Sequence, residues 1–325
     1  MSIKSFRSAI LAVIALTLSG PALAQQTERH FAYLTPGLDL PFWRYLAIGV
    51  ADEAKKHNAT VTDYDSHNDA AAQLKNAQDA IARHVDGIII SPTDSSTAPS
   101  VLGLAEKEKI PVVIADIGTV SGNYVSFIIS DNEKGAHDTG VALAAALKDH
   151  HWDKGPIGLV TISLARNNGK ARTKGFRDAM KENGDIKEVA LDQMQRYTAD
   201  ETFKYVQDML TAHPDLHGIF VQTDTPTLGA VRAIEAAHRE DSVLLAAYDG
   251  VPEFIDLIRQ GKIVASGMQQ PYLMGARSAQ AMFDFLDGKT PEKEILVPII
   301  VVSQKNLDEV LPTITQTVFA NELKK

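Results

Sequence analysis

Short apolar runs alternate with amphipathic stretches along most of the chain. Residues 30–35 (HFAYLT) have the pattern of a strand, and residues 42–58 carry apolar side chains every three or four positions, as a helix with one buried face does. Residues 87–91 and 111–116 are rich in Ile and Val, which is typical of strands buried on both faces. Such strands, separated by amphipathic helices, predict a parallel sheet covered by helices on both sides.

The same alternation resumes in the second half of the chain. The strands predicted there are 157–162, 187–191, 218–224, 242–249 and 263–270. Helical stretches separate them, and the two series join near Ser130. We therefore predict an α/β protein of two doubly wound, Rossmann-like lobes with parallel sheets.

The N-terminal segment has a different pattern and is left out of this fold prediction. Lys4 and Arg7 precede the apolar run 9–18, and Ala22 and Ala24 supply small residues before a cleavage point. This arrangement predicts a secretory signal peptide over residues 1–24, cleaved after Ala24, because the apolar run is too short to span a bilayer. The expected location of the mature protein is the periplasm.

Composition narrows the class of protein further. Removal of residues 1–24 takes away two basic and no acidic residues, so the formal net charge moves from −9 to −11. An acidic chain without a basic run is not expected to bind nucleic acid. The chain has no cysteine, which excludes disulfides, thiolate metal sites and a lipid-modified cysteine.

Polar and aromatic side chains follow several of the predicted strands. In open parallel sheets, ligands bind outside the carboxyl ends of the strands. These positions combine carboxylates, amides and hydroxyls, which hydrogen-bond to hydroxyl groups, with aromatic rings, which stack on apolar C–H faces. The inventory suits a polyhydroxylated ligand. Of the adjacent rings Phe42 and Trp43, we expect one to pack inward and the other to provide a stacking surface.

Each of these residues also has a purely structural interpretation. Aspartates at strand ends often cap the following helix, as Asp94 and Asp224 would. Phe42 or Trp43 taken alone is more often a core residue, and Tyr248 with Asp249 and Gly250 can form a simple turn. Periodicity does not separate the structural interpretation from the functional one. The joint placement of these residues at strand ends favours a binding site.

Sequence motifs for other chemistries are missing. The chain contains no G-x-G-x-x-G, P-loop, G-x-S-x-G or H-E-x-x-H pattern. His67 and its neighbours have no second ligand cluster at metal spacing. We predict no cofactor, no metal and no catalytic residue, although a carboxylate pair for glycoside hydrolysis is not excluded by the sequence.

The ordered motifs LPFWRYLAIGVADEAKKHN, QLKNAQDAIARHVDGIIISPTDSS, ARTKGFRDAM, HGIFVQTDTPTLGAVRAI and AAYDGVPEFIDLIRQGKIVAS resemble those of ribose-binding-type periplasmic proteins over about residues 30–305. The resemblance implies the type I periplasmic binding protein fold, with two lobes joined by a three-segment hinge and a sugar in the cleft between them. It implies a non-enzymatic protein that delivers its ligand to an inner-membrane ABC permease. The implied lobes are residues 27–130 with 270–297, and residues 131–269 with 298–325.

The resemblance also assigns ligand-binding positions. The ones it implies are Phe42, Trp43, Ser91, Asp116, Lys170, Tyr197, Thr223, Asp249 and Gln269. Additional candidates from the strand ends are Asp39, Arg166, Asn167 and Tyr248. The chain departs from the family where Ile117 and Lys170 replace arginines and where Ser91 and Thr223 replace asparagines. Ribose is therefore not the expected ligand; another pentose or hexose, a polyol or a smaller polyhydroxylated signal molecule is.

Three other functions are alternatives to transport. A periplasmic sensor could present a sugar-like signal to a membrane histidine kinase or chemoreceptor, and the sequence does not separate this from transport. An intracellular transcription regulator of the same two-lobe type is disfavoured by the export signal and by the missing helix-turn-helix. A hydrolase remains the last alternative. The protein is expected to be a monomer.

Overall fold

The computed structural model describes residues 28–184 and 186–324, so the predicted signal peptide lies outside the described residues. Within these ranges the chain forms two six-stranded sheets, each flanked by helices on both faces. The prediction of two doubly wound α/β lobes is confirmed. None of the helices in these ranges is both long and apolar enough to cross a membrane.

The elements follow one another in regular alternation. The chain up to residue 130 contains β1 (Arg29–Thr35), α1 (Pro41–Lys56), β2 (Ala59–Asp65), α2 (Ala70–Ala82), β3 (Gly87–Ile90), α3 (Ala98–Lys107), β4 (Val112–Ala115) and β5 (Ser126–Ser130). The middle part contains α4 (Asn132–Asp149), β6 (Ile157–Thr161), α5 (Asn167–Glu182), β7 (Glu188–Gln193), α6 (Ala199–Ala212), β8 (Gly218–Val221), α7 (Thr225–Ala236), β9 (Leu244–Tyr248), α8 (Glu253–Arg259) and β10 (Ala265–Met268). The last part contains α9 (Pro271–Leu286), β11 (Glu294–Val297), β12 (Ile300–Ser303), α10 (Leu307–Thr317) and a short 3-10 helix (Glu322–Lys324).

The chain passes between the two sheets three times. The first sheet has the order β11-β5-β4-β3-β1-β2 and the second the order β12-β10-β9-β8-β6-β7. The crossings therefore follow β5, follow β10, and lie between β11 and β12. All pairs are parallel except β10 with β12, which is antiparallel and differs from the purely parallel sheet predicted. β11 ends on the side where the two sheets face each other. The chain therefore enters the second sheet from that side, and β12 runs antiparallel to its neighbour β10.

Each sheet has an apolar core on both faces, as the continuous apolar strands predict. On β1, Phe31 and Tyr33 pack into the core beneath α1 and α9, whereas Ala32 and Leu34 pack beneath α2 and α3. Side chains alternate between the faces of a strand, so each central strand supplies both cores. These four cores hold the strand ends, and hence the loops that follow them, in fixed positions.

Helix α5 is held close to α4, as other helix pairs of the protein are at Gly49, Gly229 and Gly275. A Cβ atom on Gly175 would lie 1.9 Å from the carbonyl oxygen of Glu133, so no larger residue fits there without moving one helix. This close contact fixes the position of α5. The N-terminal half of α5 carries several of the polar side chains described below.

Candidate functional site

The carboxyl ends of the two sheets face each other across a cleft, in which most of the predicted site residues meet. One cavity there is narrow, with about 20 Å³ of interior space. Seven of the nine residues predicted to bind ligand line it, namely Phe42, Trp43, Asp116, Tyr197, Thr223, Asp249 and Gln269. Arg166 lines it as well, whereas Asp39 lies in a wider cavity at the mouth of the cleft that shares Trp43, Arg166 and Tyr197 with it.

Two adjacent rings form the first-lobe wall of this cavity. Helix α1 begins at Pro41, whose fixed φ suits the first helical position, and Phe42 and Trp43 follow directly. The two rings meet edge to face, with centroids 4.7 Å apart and planes at 83°. The sequence predicts one ring inside and one at the cleft. In the structure both rings pack on the first-lobe core and both line the cavity.

Tyr197 lines the cavity from the second lobe, in the loop between β7 and α6. Thr198 caps α6 by accepting a hydrogen bond from the backbone N–H of Glu201, 3.2 Å away. The Glu201 carboxylate accepts hydrogen bonds from the backbone N–H groups of Gln195, Arg196 and Tyr197. The T-x-x-E spacing is that of a capping box, so a local sequence signal fixes the loop that carries the ring.

Arg172 and Asp249 form a buried ion pair beneath the cavity. The Arg172 Nη1 atom donates to Asp249 Oδ2 across 3.1 Å and to the carbonyl oxygen of Gln222 across 2.8 Å. Its Nε atom donates to Asn132 Oδ1, and its guanidinium lies 4.1 Å from the ring centroid of Tyr248. Burial raises the pKa of Asp249, and the Arg172 charge opposes that shift. Such a pair is stable only because all of these partners are present.

Asp116 lies on the opposite wall, at the end of β4. Its Oδ2 atom accepts a hydrogen bond from Asn168 Nδ2 of the second lobe across 2.8 Å. Its Oδ1 atom is buried and has no hydrogen-bond partner among the described residues. Burial raises the pKa of Asp116 to about 6, against the lowering effect of the Arg172 charge. An unpaired buried carboxylate oxygen is costly, and a donor on a bound ligand would remove that cost.

Asp224 brings a third carboxylate to the same cavity. Its Oδ2 atom accepts from the backbone N–H of Phe42 across the cleft at 3.3 Å, and Thr223 Oγ1 lies 3.3 Å from Oδ1. Burial is the main cause that raises the pKa of Asp224 to about 6, and the charge of Asp249 is the second cause. Although Asp224 stands at the N-cap position of α7, its side chain makes no capping hydrogen bond to that helix. Its side chain faces the first lobe instead.

Three of the residues that line the cavity have left-handed backbone conformations. The φ angles of Asp116, Tyr197 and Asp249 are 63°, 56° and 58°. Aspartate tolerates this region, but for tyrosine it costs roughly 1–2 kcal/mol. Asp116 and Asp249 directly follow strands, whereas Tyr197 precedes the N-cap of α6. Positive φ is also found at nine other non-glycine residues among those the structure describes, so it does not by itself mark the site.

Arg166 connects the lobes at the mouth of the cleft. Its Nε atom donates to the carbonyl oxygen of Thr93 at 3.0 Å, and its Nη2 atom donates to Asn68 Oδ1 at 2.7 Å. Its guanidinium also lies 4.9 Å from the ring centroid of Tyr197. Together with the Asn168–Asp116 and Phe42–Asp224 contacts, these bonds hold the lobes in a closed arrangement.

The structure does not bring Ser91 and Lys170 into the cavity. Ser91 is fully buried behind it, with its Oγ atom 3.2 Å from the Tyr33 hydroxyl and its carbonyl oxygen bonded to Gln73. Lys170 is exposed on the outer side of α5. At about 100° per residue, Lys170 points some 200° away from Asn168, which faces the cleft.

Two of the additional candidates also lie outside the cavity. Tyr248 is fully buried, and its ring supports the guanidinium of Arg172 from below. Asn167 contacts Ser95 of the first lobe through its backbone N–H, at 3.1 Å, and its side chain is exposed in a separate groove. Tyr248 and Asn167 therefore affect the cleft only through the residues that they contact, Arg172 and Ser95.

Sequence reasoning missed Arg172. Asn168 and Asp224 are among the polar residues that follow predicted strands, but the sequence assigns neither to the ligand, and capping of α7 is an equal interpretation of Asp224. Arg172 lies within α5, four residues after Asn168, rather than at a strand end. Their spacing of four residues places them on one helix face, and that spacing is visible in the sequence. Among the described residues, no group of three or more potential metal-ligating side chains could hold a metal ion.

Comparison with known proteins gives a consistent result. The profile of the family described as "Periplasmic binding protein domain" matches residues 31–290. The ribose import binding protein of Haemophilus influenzae is 30% identical over 302 residues, which cover 93% of this chain and 99% of that protein.

Solved structures show the same arrangement of lobes. A carbohydrate transporter solute binding protein from Agrobacterium radiobacter, in complex with D-arabinose, superposes with a TM-score of 0.83 at 22% identity, over 90% of this chain and 99% of that one. An ABC transporter periplasmic solute binding protein from Actinobacillus succinogenes, with bound D-allose, gives 0.80 at 25% identity, over 87% and 100% of the two chains.

Proposed function

The chain belongs to the periplasmic binding protein family, and on that premise we propose that it captures a sugar or polyol between its two lobes and delivers it to an ABC importer. The ribose import binding protein of Haemophilus influenzae supports this proposal, because it resembles the chain over nearly the whole length of both proteins. A binding protein of this kind performs no chemistry on its ligand.

The observation that carries the proposal is the combination of rings and carboxylates in one interlobe cavity. Phe42 and Trp43 face the cavity from one lobe and Tyr197 from the other, beside Asp116 and Asp249. Rings pack on the C–H faces of a sugar, and carboxylates accept hydrogen bonds from its hydroxyls. In this closed arrangement the cavity has room for about 20 Å³, roughly one water molecule, and the adjoining cavity at the mouth has about 380 Å³. A sugar ring in the inner cavity therefore requires the two lobes to lie farther apart than they do here.

Binding would proceed by closure of the two lobes around the ligand. We assign residues 27–130 with 270–297 to one lobe and residues 131–269 with 298–325 to the other, with hinges at the three crossings. In an open form the two walls of the cavity separate, and each offers only half of the contacts. Ligand favours closure because it contacts both walls at once, and the closed shape is what a permease recognises.

The proposed partner and location follow from the same family. Delivery to an inner-membrane ABC permease places the protein in the periplasm, and cleavage after Ala24 would release it there. The ligand-binding residues we assign are those that line the cavity, and these include Arg172 and Asn168. Ser91 and Lys170 stay candidates only through their resemblance to the family pattern.

A ligand panel tests this proposal. Isothermal calorimetry and thermal shift with pentoses, hexoses and polyols should identify at least one compound that binds with a Kd in the micromolar range or below, about −8 kcal/mol or stronger. Tight binding of D-ribose would contradict our expectation for ligand identity and leave the transport role intact. Turnover of a bound sugar, or failure of every sugar and polyol to bind, would overturn the proposed function.

A further inference from the structure

The cavity between the lobes carries more negative than positive charge. Three carboxylates line it, from Asp116, Asp224 and Asp249, and all are at least 96% buried. Two guanidiniums line it, from Arg166 and Arg172. The residue after Asp116 is Ile117, which is apolar and fully buried, so no cation follows that carboxylate along the chain.

The two guanidiniums are engaged with partners other than Asp116 and Asp224. Arg172 donates to Asp249 and to two groups of its own lobe, so its charge chiefly compensates Asp249. Arg166 donates to the first-lobe carbonyl of Thr93 and to Asn68 at the mouth of the cleft.

Asp116 and Asp224 accept hydrogen bonds only from neutral groups. Asp116 accepts from the Asn168 amide, and Asp224 accepts from the Phe42 backbone N–H and lies beside the Thr223 hydroxyl. Two buried carboxylates in one cavity thus lack an ion-pair partner at hydrogen-bond distance among the described residues. Burying a charge without a partner is expensive, so a cationic ligand would gain more here than a neutral one.

Two residues that line the cavity carry buried acceptors without partners in the described part of the chain. Asp116 Oδ1 and Gln269 Oε1 are both buried, both belong to residues that line the cavity, and neither has a hydrogen-bond partner among the described residues. The Gln269 amide is oriented by its Nε2 atom, which donates to Asp249 Oδ1 across 2.9 Å, so its oxygen is the free end. The cavity therefore needs donors from its ligand, and an ammonium group carries three of them and no acceptor.

Resting on the proposed sugar-binding function, we propose that the preferred ligand is a hydroxylated amine, such as an amino sugar, with its ammonium group bound in the cavity by the carboxylates of Asp116, from the first lobe, and Asp224, from the second. The rings of Trp43 and Tyr197 would pack on its C–H faces, and its hydroxyls would meet Asp249 and Gln269. Asp224 is then a specificity-determining residue, because it adds the carboxylate that Arg172 does not balance.

Matched ligand pairs test this inference. Calorimetry near neutral pH compares D-glucosamine, D-galactosamine and D-mannosamine with D-glucose, D-galactose and D-mannose, and with their N-acetyl forms, which lack the charge. We expect at least one amine to bind about tenfold more tightly than its neutral and acetylated counterparts. Asp224→Asn, which keeps the acceptor for Phe42, should reduce that preference about tenfold. Asp200→Asn, an exposed change of the same charge, should leave the preference intact.

The outcomes separate the two proposals. Neutral sugars that bind as tightly as their amines, or more tightly, overturn the amine preference and leave the sugar-binding function standing. A preference that survives in both Asp224→Asn and Asp116→Asn overturns the assignment of the ammonium group to these two carboxylates. Binding of no sugar, amine or polyol of any kind overturns both proposals together.

Discussion

Asn168 of the second lobe donates a hydrogen bond to Asp116 of the first lobe across 2.8 Å, with both side chains at least 96% buried. This contact crosses the cleft directly beside the proposed ligand. It occupies one oxygen of Asp116 and leaves the other for a ligand donor. The closed form of the protein and the binding site are therefore built from the same side chains.

Loss of this contact should weaken closure. Asn168→Ala removes the side-chain hydrogen bond that Asp116 accepts from the second lobe, so we expect ligand affinity to fall about tenfold or more. Calorimetry gives the affinity, and the radius of gyration from small-angle scattering reports whether saturating ligand still closes the lobes. Asn167→Ala is the matched control, because that side chain is exposed outside the cavity. Equal effects of the two variants would contradict the assigned contact.

Trp43 should report ligand binding by fluorescence. The chain has two tryptophans, and Trp152 stacks between His150 and His217 on the second lobe, away from the cavity. Ligand should change the emission of the wild type and of Trp152→Phe, and leave that of Trp43→Phe nearly unchanged. Trp43→Ala should also weaken binding about tenfold or more, without unfolding the protein. A ligand response that remains in Trp43→Phe would place the site elsewhere.

Removal of one member of the Arg172–Asp249 pair should affect stability as well as binding. Arg172→Met leaves a buried carboxylate without its charge partner, which is expected to lower the free energy of unfolding by about 3–5 kcal/mol. Asp249→Ala is expected to weaken ligand binding about tenfold or more. Urea unfolding measures the first effect and calorimetry the second. Lys181→Ala, at an exposed position of the same helix, is the control and should change neither quantity appreciably.

The sequence predicts the architecture and one class of site residue well. Residues that follow strands, such as Asp116, Asp249 and Trp43, were found because the carboxyl ends of parallel strands meet at one edge. Arg172 was missed because it enters the cleft from within a helix. The resemblance assigns Lys170 to the cavity, but the residue of α5 that lines it is Arg172, two positions later. Lys170 points away from the cavity, because only side chains three or four residues apart share a helix face. Asp224 contacts the first lobe at Phe42 only because the two lobes are closed, and no local sequence pattern predicts such a contact.

Protonation of Asp116 and Asp224 should make stability depend on pH. Burial raises the pKa of both carboxyls from 3.8 to about 6. Between about pH 4 and pH 6 the folded protein therefore holds more protons than the unfolded chain, and the free energy of unfolding falls as pH rises through this window. Each group contributes a change on the order of 2–3 kcal/mol.

The variant Asp116→Asn/Asp224→Asn isolates this effect. Because neither amide ionises, its stability relative to wild type should be greater at about pH 7 than at about pH 4.5. Urea unfolding at both pH values measures the difference, and Asp200→Asn corrects for a general loss of surface charge. A difference that is the same at both pH values would show that the two carboxyls are not buried as described.

The most direct test of the account is a crystal structure of the protein with the tightest ligand from the calorimetric panel. We predict ligand density between Trp43 and Tyr197, with hydrogen bonds to Asp116 Oδ1 and Gln269 Oε1 and with the lobes closed. Ligand bound outside this cavity, or a ligand within it that contacts only one lobe, would contradict the account.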